Sequence, residues 1–244
     1  MIVRDARMAG NFGCFNMANF PASAVIEDKS SDEYALKTAG VNKLLPVKEI
    51  NKLSYTGFAQ TGKALLFQYG IDKADSGEKT AIASSCSGIA KPHTEIKDLA
   101  AAKSALKITD SDQDGSIAIM KHEMIAYAVG TLGEESGLFR FQLSNDGSWS
   151  NPQLLINGIT TMDIHYIYAE CPDSENASAS GLNTKSFDYK NALDISAEAK
   201  SPASIQIVLN NGSIDPSKEQ DNKVDIYNIN ATIRGGNVCA DRSL

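Results

Sequence analysis

Arg4-Asp5-Ala6-Arg7-Met8-Ala9-Gly10-Asn11-Phe12-Gly13-Cys14 reads as the end of a helix and its exit into another kind of structure. Val3, Ala6 and Gly10 stand three to four residues apart, the spacing of one packing stripe on a short helix. Gly10 and Gly13 then supply positions that accept positive φ and stop it. What the rest of the chain builds around this helix end decides the fold.

Outward from there, residues 15–60 are rich in Ser, Asn, Lys, Ala and Gly with little periodicity, and predict loops and short helical turns. Residues 64–69 (ALLFQY) and 80–84 (TAIAS) predict short strands. Residues 98–106 (DLAAAKSAL) predict a helix, alanine-rich and opened by Asp98. The second half alternates apolar and polar residues over 117–129, 138–143, 162–168, 205–209 and 224–233, the period of half-buried strands. Between these runs stand the turn pairs Asp114-Gly115, Asp146-Gly147, Asn157-Gly158 and Asn211-Gly212. The pattern predicts a meandering antiparallel sheet, with a short helix over 190–200 (KNALDISAEAK). No repeat of constant period appears.

At 244 residues the chain is long enough to bury a core without metals or bridges. Its composition, 42% hydrophobic and 22% charged, is that of a globular protein. A formal net charge of -7, with 23 scattered Lys and Arg, argues against nucleic acid as a partner. No apolar run of about 18 residues is present. Cys14, Cys86, Cys171 and Cys239 are dispersed, without a CxxC or a neighbouring His at zinc spacing, and suit two disulfides. Three connectivities are open, and reduced cysteines in a cytosolic chain are the alternative.

Taken in order, several strings resemble one family of type IV pilus minor pilins, that of PilW in pseudomonad and PilJ in neisserial nomenclature, related to the pseudopilin GspJ of type II secretion. Members carry an RDxRMAGxxGC-like string at the helix exit, here residues 4–14. A strand follows that ends here in Gln68-Tyr69-Gly70, then a string resembling the family's SDC segment, here Ala83-Ser84-Ser85-Cys86. Beyond it lie a Tyr-bearing strand (Met124-Ile125-Ala126-Tyr127), an LxR strand (Leu138-Phe139-Arg140), a PLxxGV-like segment (residues 152–159, PQLLINGI) and a last strand running into Arg234 and Cys239.

The resemblance implies an α+β fold: a pilin-like head with the remnant of the N-terminal helix packed on an antiparallel β-sheet. Residues 1–14 would be that remnant and its exit, and 15–244 a single globular head. It favours the pairs Cys14 with Cys86 and Cys171 with Cys239. It also implies a precursor anchored in the inner membrane of a Gram-negative bacterium by an apolar helix upstream of Ile2, with a periplasmic head that later joins a surface pilus. The expected partners are other minor pilins and the major pilin, in a complex that primes assembly and sits at the tip. Adhesion and twitching motility would follow from the pilus. A GspJ-like pseudopilin is the nearest alternative, and a calcium- or ligand-binding adhesin head the next.

Catalytic and metal chemistry find little purchase. Asp110-Ser111-Asp112-Gln113-Asp114-Gly115 reproduces the first half of an EF-hand loop, but its twelfth position would be Lys121, which cannot ligate. It reads as a solvated acidic turn, with calcium at Asp110, Asp112 and Asp114 as the alternative; no other cofactor is expected. His93, His122 and His165 form no ligand pair and read as surface residues. Cys86 with His93 seven positions on could be read as a nucleophile and base, but nothing orients them. The chain is expected not to be an enzyme.

Overall fold

The computed structural model describes residues 1–30, 32–71, 80–92, 94, 96–110, 116–169, 187–212 and 226–233. Among these residues it is mostly β, 51% strand against 13% helical, and the two α-helices they hold are short: α1 (Ile2–Met8) and α2 (Leu99–Leu106). The α+β architecture expected above is therefore corrected to a β-rich fold of three sheets. Four of the five alternating runs become strands longer than predicted, while the strand within 224–233 is described over Ile226–Thr232, and much of the chain between the runs also joins ladders.

β1 (Asn11–Phe12) and β2 (Phe15–Asn16) form a two-stranded hairpin directly after α1. The large sheet holds β3 (Val25–Asp28), β4 (Val47–Ile50), β5 (Phe58–Ile71), β6 (Ala81–Ser84), β7 (Ile89–Lys91), β8 (Ala118–Leu132), β9 (Glu135–Leu143) and β10 (Trp149–Asn157). β8 is its hub, pairing antiparallel with β5, β6 and β9, while β3 runs parallel to β7. The third sheet, in the order β12-β11-β13-β14, is antiparallel throughout: β11 (Thr161–Ala169), β12 (Phe187–Lys190), β13 (Ser204–Asn210) and β14 (Ile226–Thr232). Gly147 and Gly158, at φ 83° and 76°, make the turns that lead into and out of β10.

Two cores lie on the two faces of the large sheet. Leu65, Phe67, Ile125, Tyr127 and Val129 meet Tyr166, Ile205, Ile207 and Leu209 of the third sheet, and α1 adds Ile2, Ala6 and Ala9 to this cluster. Leu66, Met124, Ala126, Phe139, Phe141 and Trp149 form the other. With both faces covered, the centres of β5 and β8 are buried at every position, where a sheet wet on one side would alternate.

Asp98 caps α2 by accepting the Ala101 N–H at 2.8 Å, as its place in the sequence predicts. The helix expected over 190–200 does not form. Asp194 instead accepts the Ser196 N–H at 3.0 Å and Lys190 Nζ at 2.8 Å, closing a side-chain turn that competes with helix. The region 15–60 holds β2, β3 and β4 among its turns, so it is less loop-like than expected.

Candidate functional site

The stripe that α1 buries is Ile2, Asp5, Ala6 and Ala9, one position round the helix from the expected Val3, Ala6 and Gly10. A carboxylate thus sits at the centre of the packed face. Asp5 is fully buried. Its Oδ1 accepts the Tyr69 hydroxyl at 3.1 Å and the Arg4 guanidinium at 3.1 Å. Its Oδ2 accepts the Tyr127 hydroxyl at 2.6 Å and Arg140 Nε at 3.3 Å. Arg140 is itself 6% exposed, so this is a buried ion pair completed by two phenols. β5, β8 and β9 each send one donor to α1.

Burial raises the Tyr127 and Tyr69 hydroxyl pKa values, and the Asp5 carboxylate raises them further. Both phenols therefore remain proton donors. Glu123, opposite Tyr69 in the β5–β8 register, is buried, and desolvation lifts its carboxyl above the usual range against the pull of Lys121 and Arg140.

Gly10 follows at once. Its N–H donates to Gln68 O at 2.8 Å, φ is 83°, and a Cβ there would meet Pro46 Cβ at 2.8 Å. Gly13, at φ 72°, then turns the chain into Cys14, which is bonded to Cys86 across 72 positions. The helix exit is thus tied twice, by a carboxylate and by a covalent bridge. The bridge also removes Cys86 from service as a thiolate nucleophile. Cys171, Cys239 and His93 lie outside the described residues, as do Asp112 and Asp114; Asp110 is exposed. No group of three or more acidic, His or Cys side chains suited to a metal occurs among the described residues.

The expectation that His122 is a surface residue is corrected: it is completely buried beneath the segment that carries Tyr34. Lys91 Nζ, which can only donate, lies 3.0 Å from His122 Nδ1 and 3.1 Å from Tyr34 O. The neutral ring therefore carries its proton on Nε2, which donates to Gln68 Oε1 at 3.2 Å. Gln68 Nε2 in turn donates to Leu36 O at 3.1 Å and Leu45 O at 2.8 Å, and Lys48 Nζ donates to Ala35 O. Three successive carbonyls are held from below. Desolvation holds the His122 pKa well below its ordinary value, with the charges of Lys91 and Lys48 adding to the effect. Lys91 is pushed down to about 8 by burial, partly offset by Asp28. His165, by contrast, is a half-buried strand residue bonded to Asn191 Oδ1 at 2.9 Å.

An apolar pocket of about 310 Å³ opens at the amino end of α1, walled by Ile2, Val3, Leu138, Leu155 and Ile229. It holds no polar side chain to direct chemistry. Among the described residues, no helix is long and apolar enough to cross a membrane.

Sequence reasoning placed Tyr69, Tyr127 and Arg140 on strands without assigning them a role, and it passed over Asp5. The signal for Asp5 was the i, i+3, i+4, i+7 spacing of Ile2, Asp5, Ala6 and Ala9, hidden because one member is charged. No protein-family model, curated protein or solved structure matches the chain.

Proposed function

We propose that this chain is the head of a minor pilin of the PilW/PilJ kind, a structural subunit that joins other minor pilins and the major pilin to prime assembly of a type IV pilus. One observation carries the reading. Four strings that resemble the family, containing Asp5, Tyr69, Tyr127 and Arg140, meet at a single buried carboxylate. The first of these strings also ends in Cys14, which meets Cys86, the end of a fifth, in a disulfide. Strings that match separately along a chain have no reason to converge in space unless they serve one purpose, and here that purpose is to fix the helix exit to the head.

The physical logic follows. A subunit that enters a filament through a helix must transmit the position of that helix to its head, and a buried carboxylate with three donors from the strands leaves α1 little freedom to slide or rotate. Heterologous docking of such subunits opens a filament rather than closing a ring. In this reading a helix upstream of Ile2 anchors the precursor in the inner membrane with the head in the periplasm, and the assembled subunit reaches the cell surface at the pilus tip.

Deleting the gene tests it. The expected result is fewer surface pili with undiminished major subunit, and recovery of other minor pilins when the tagged protein is pulled from detergent-solubilised membranes. A deletion strain with normal pili but impaired protein secretion would move the assignment to the GspJ-like pseudopilin. Normal pili together with normal secretion would refute the priming role.

A further inference from the structure

Side chains alternate across a strand, so the ladder registers define what the third sheet displays on the side away from the core. Tyr189, Ile167, Ser204 and Thr232 align as one row across all four strands. His165, Gln206 and Asn230 form the next row, extended by Asn191 through its bond to His165. Asp163, Val208 and Asn228 make a third. Phe187 shares this face at the β12 edge, and Phe187 and Tyr189 are 55% and 66% exposed.

Two features set the face apart. In a chain with 22% charged residues, these rows carry a single formal charge, Asp163, and neither Lys nor Arg. The side chains of Gln206, Asn228 and Asn230 also enter no hydrogen bond among the described residues, so their amides stand ready for an outside partner.

We propose that this face binds a neutral glycan. Without a cation it offers nothing to the phosphates of nucleic acid or lipid, nor to sulfated or sialylated sugars, whereas an uncharged polyhydroxyl ligand finds its complement. Asn and Gln both donate and accept, matching hydroxyls that do the same. Exposed Tyr189 and Phe187 present flat rings for the C–H face of a pyranose to stack on. The strands that carry His165, Gln206 and Asn230 lie about 4.8 Å apart, close to the advance of one sugar along an extended chain. A glycan lying across the strands meets one polar group per unit, with Tyr189 and Phe187 at the β12 end of its path. This inference is independent of the pilin reading, since the site lies wholly within this sheet.

The test uses the full chain on an array of neutral, sialylated and sulfated oligosaccharides, followed by calorimetry with the best neutral binder. Saturable binding to neutral glycans is expected, and Tyr189→Ala should weaken it about three- to tenfold, the scale of one aromatic contact. The pair Gln206→Ala with Asn230→Ala should weaken it as well, while Lys103→Ala on α2 leaves it unchanged. Circular dichroism of each variant checks that these surface substitutions leave the fold intact. The proposal is overturned if no neutral glycan binds, if only acidic ones do, or if Tyr189→Ala binds like wild type. It is equally overturned if Tyr189→Ala turns a dimer into a monomer in sedimentation, because the face would then belong to a second copy of the chain.

Discussion

Replacing Asp5 with Ala should be among the most damaging single changes in this protein. It removes the acceptor of two buried phenols and leaves the Arg140 guanidinium, 6% exposed, without its counter-charge. Breaking one side of a buried ion pair costs about 3–5 kcal/mol, against a whole-domain stability on the order of 5–15 kcal/mol. The Arg4 contact adds little, because that side chain is 70% exposed and solvent screens it. With a urea m-value of about 3 kcal/mol/M, the upper end for small domains, the unfolding midpoint should fall by about 1–2 M. Far-UV circular dichroism in urea measures this, and hydrogen exchange at the amides of α1 should show that helix opening first. The double variant Asp5→Leu with Arg140→Met removes both charges together. It should recover at least half of the loss, since an apolar pair of similar volume can replace a buried ion pair. Arg4→Ala should cost less than about 1 kcal/mol. A loss below 1 kcal/mol for Asp5→Ala, or strictly additive losses in the double variant, would refute the idea that this carboxylate locks α1 to the strands.

Two further outcomes follow from the same packing. Reducing the Cys14–Cys86 bridge, or replacing both residues with Ser, should lower stability by about 4 kcal/mol for a loop of this length in the chain-entropy model, read from the urea midpoint; an unchanged midpoint would show that the knot at Asp5 alone holds the exit. Because burial depresses the His122 pKa, the unfolded state binds the proton first as pH falls below about 6.5, the ordinary value. Stability should therefore drop on acidification, with a slope contribution of up to about 1.4 kcal/mol per pH unit from this ring. His122→Phe should flatten the profile between pH 6.5 and 5, and equal slopes in variant and wild type would count against the buried, neutral imidazole.

Much of this molecule follows from local chemistry. The period of two over residues 162–168 and 205–209 places strands where β11 and β13 run, because one side of each faces a core and the other water. Asp98 and the alanines after it make α2 for reasons contained within that segment, and Gly10 ends α1 because the chain needs positive φ there. Over 190–200 local composition misleads, since Asp194 spends its carboxylate on Ser196 N–H and Lys190. Tertiary structure alone decided the rest. Whether Asp5 lies in water or at the centre of a core depends on donors 64, 122 and 135 positions away. The burial of His122 depends likewise on Lys91 and Gln68, 31 and 54 positions distant, and on a segment folded over them. A charged or titratable side chain is stable inside only when its partners are already assembled there. Those partners are brought together by strand pairing across the whole chain, which no local window contains.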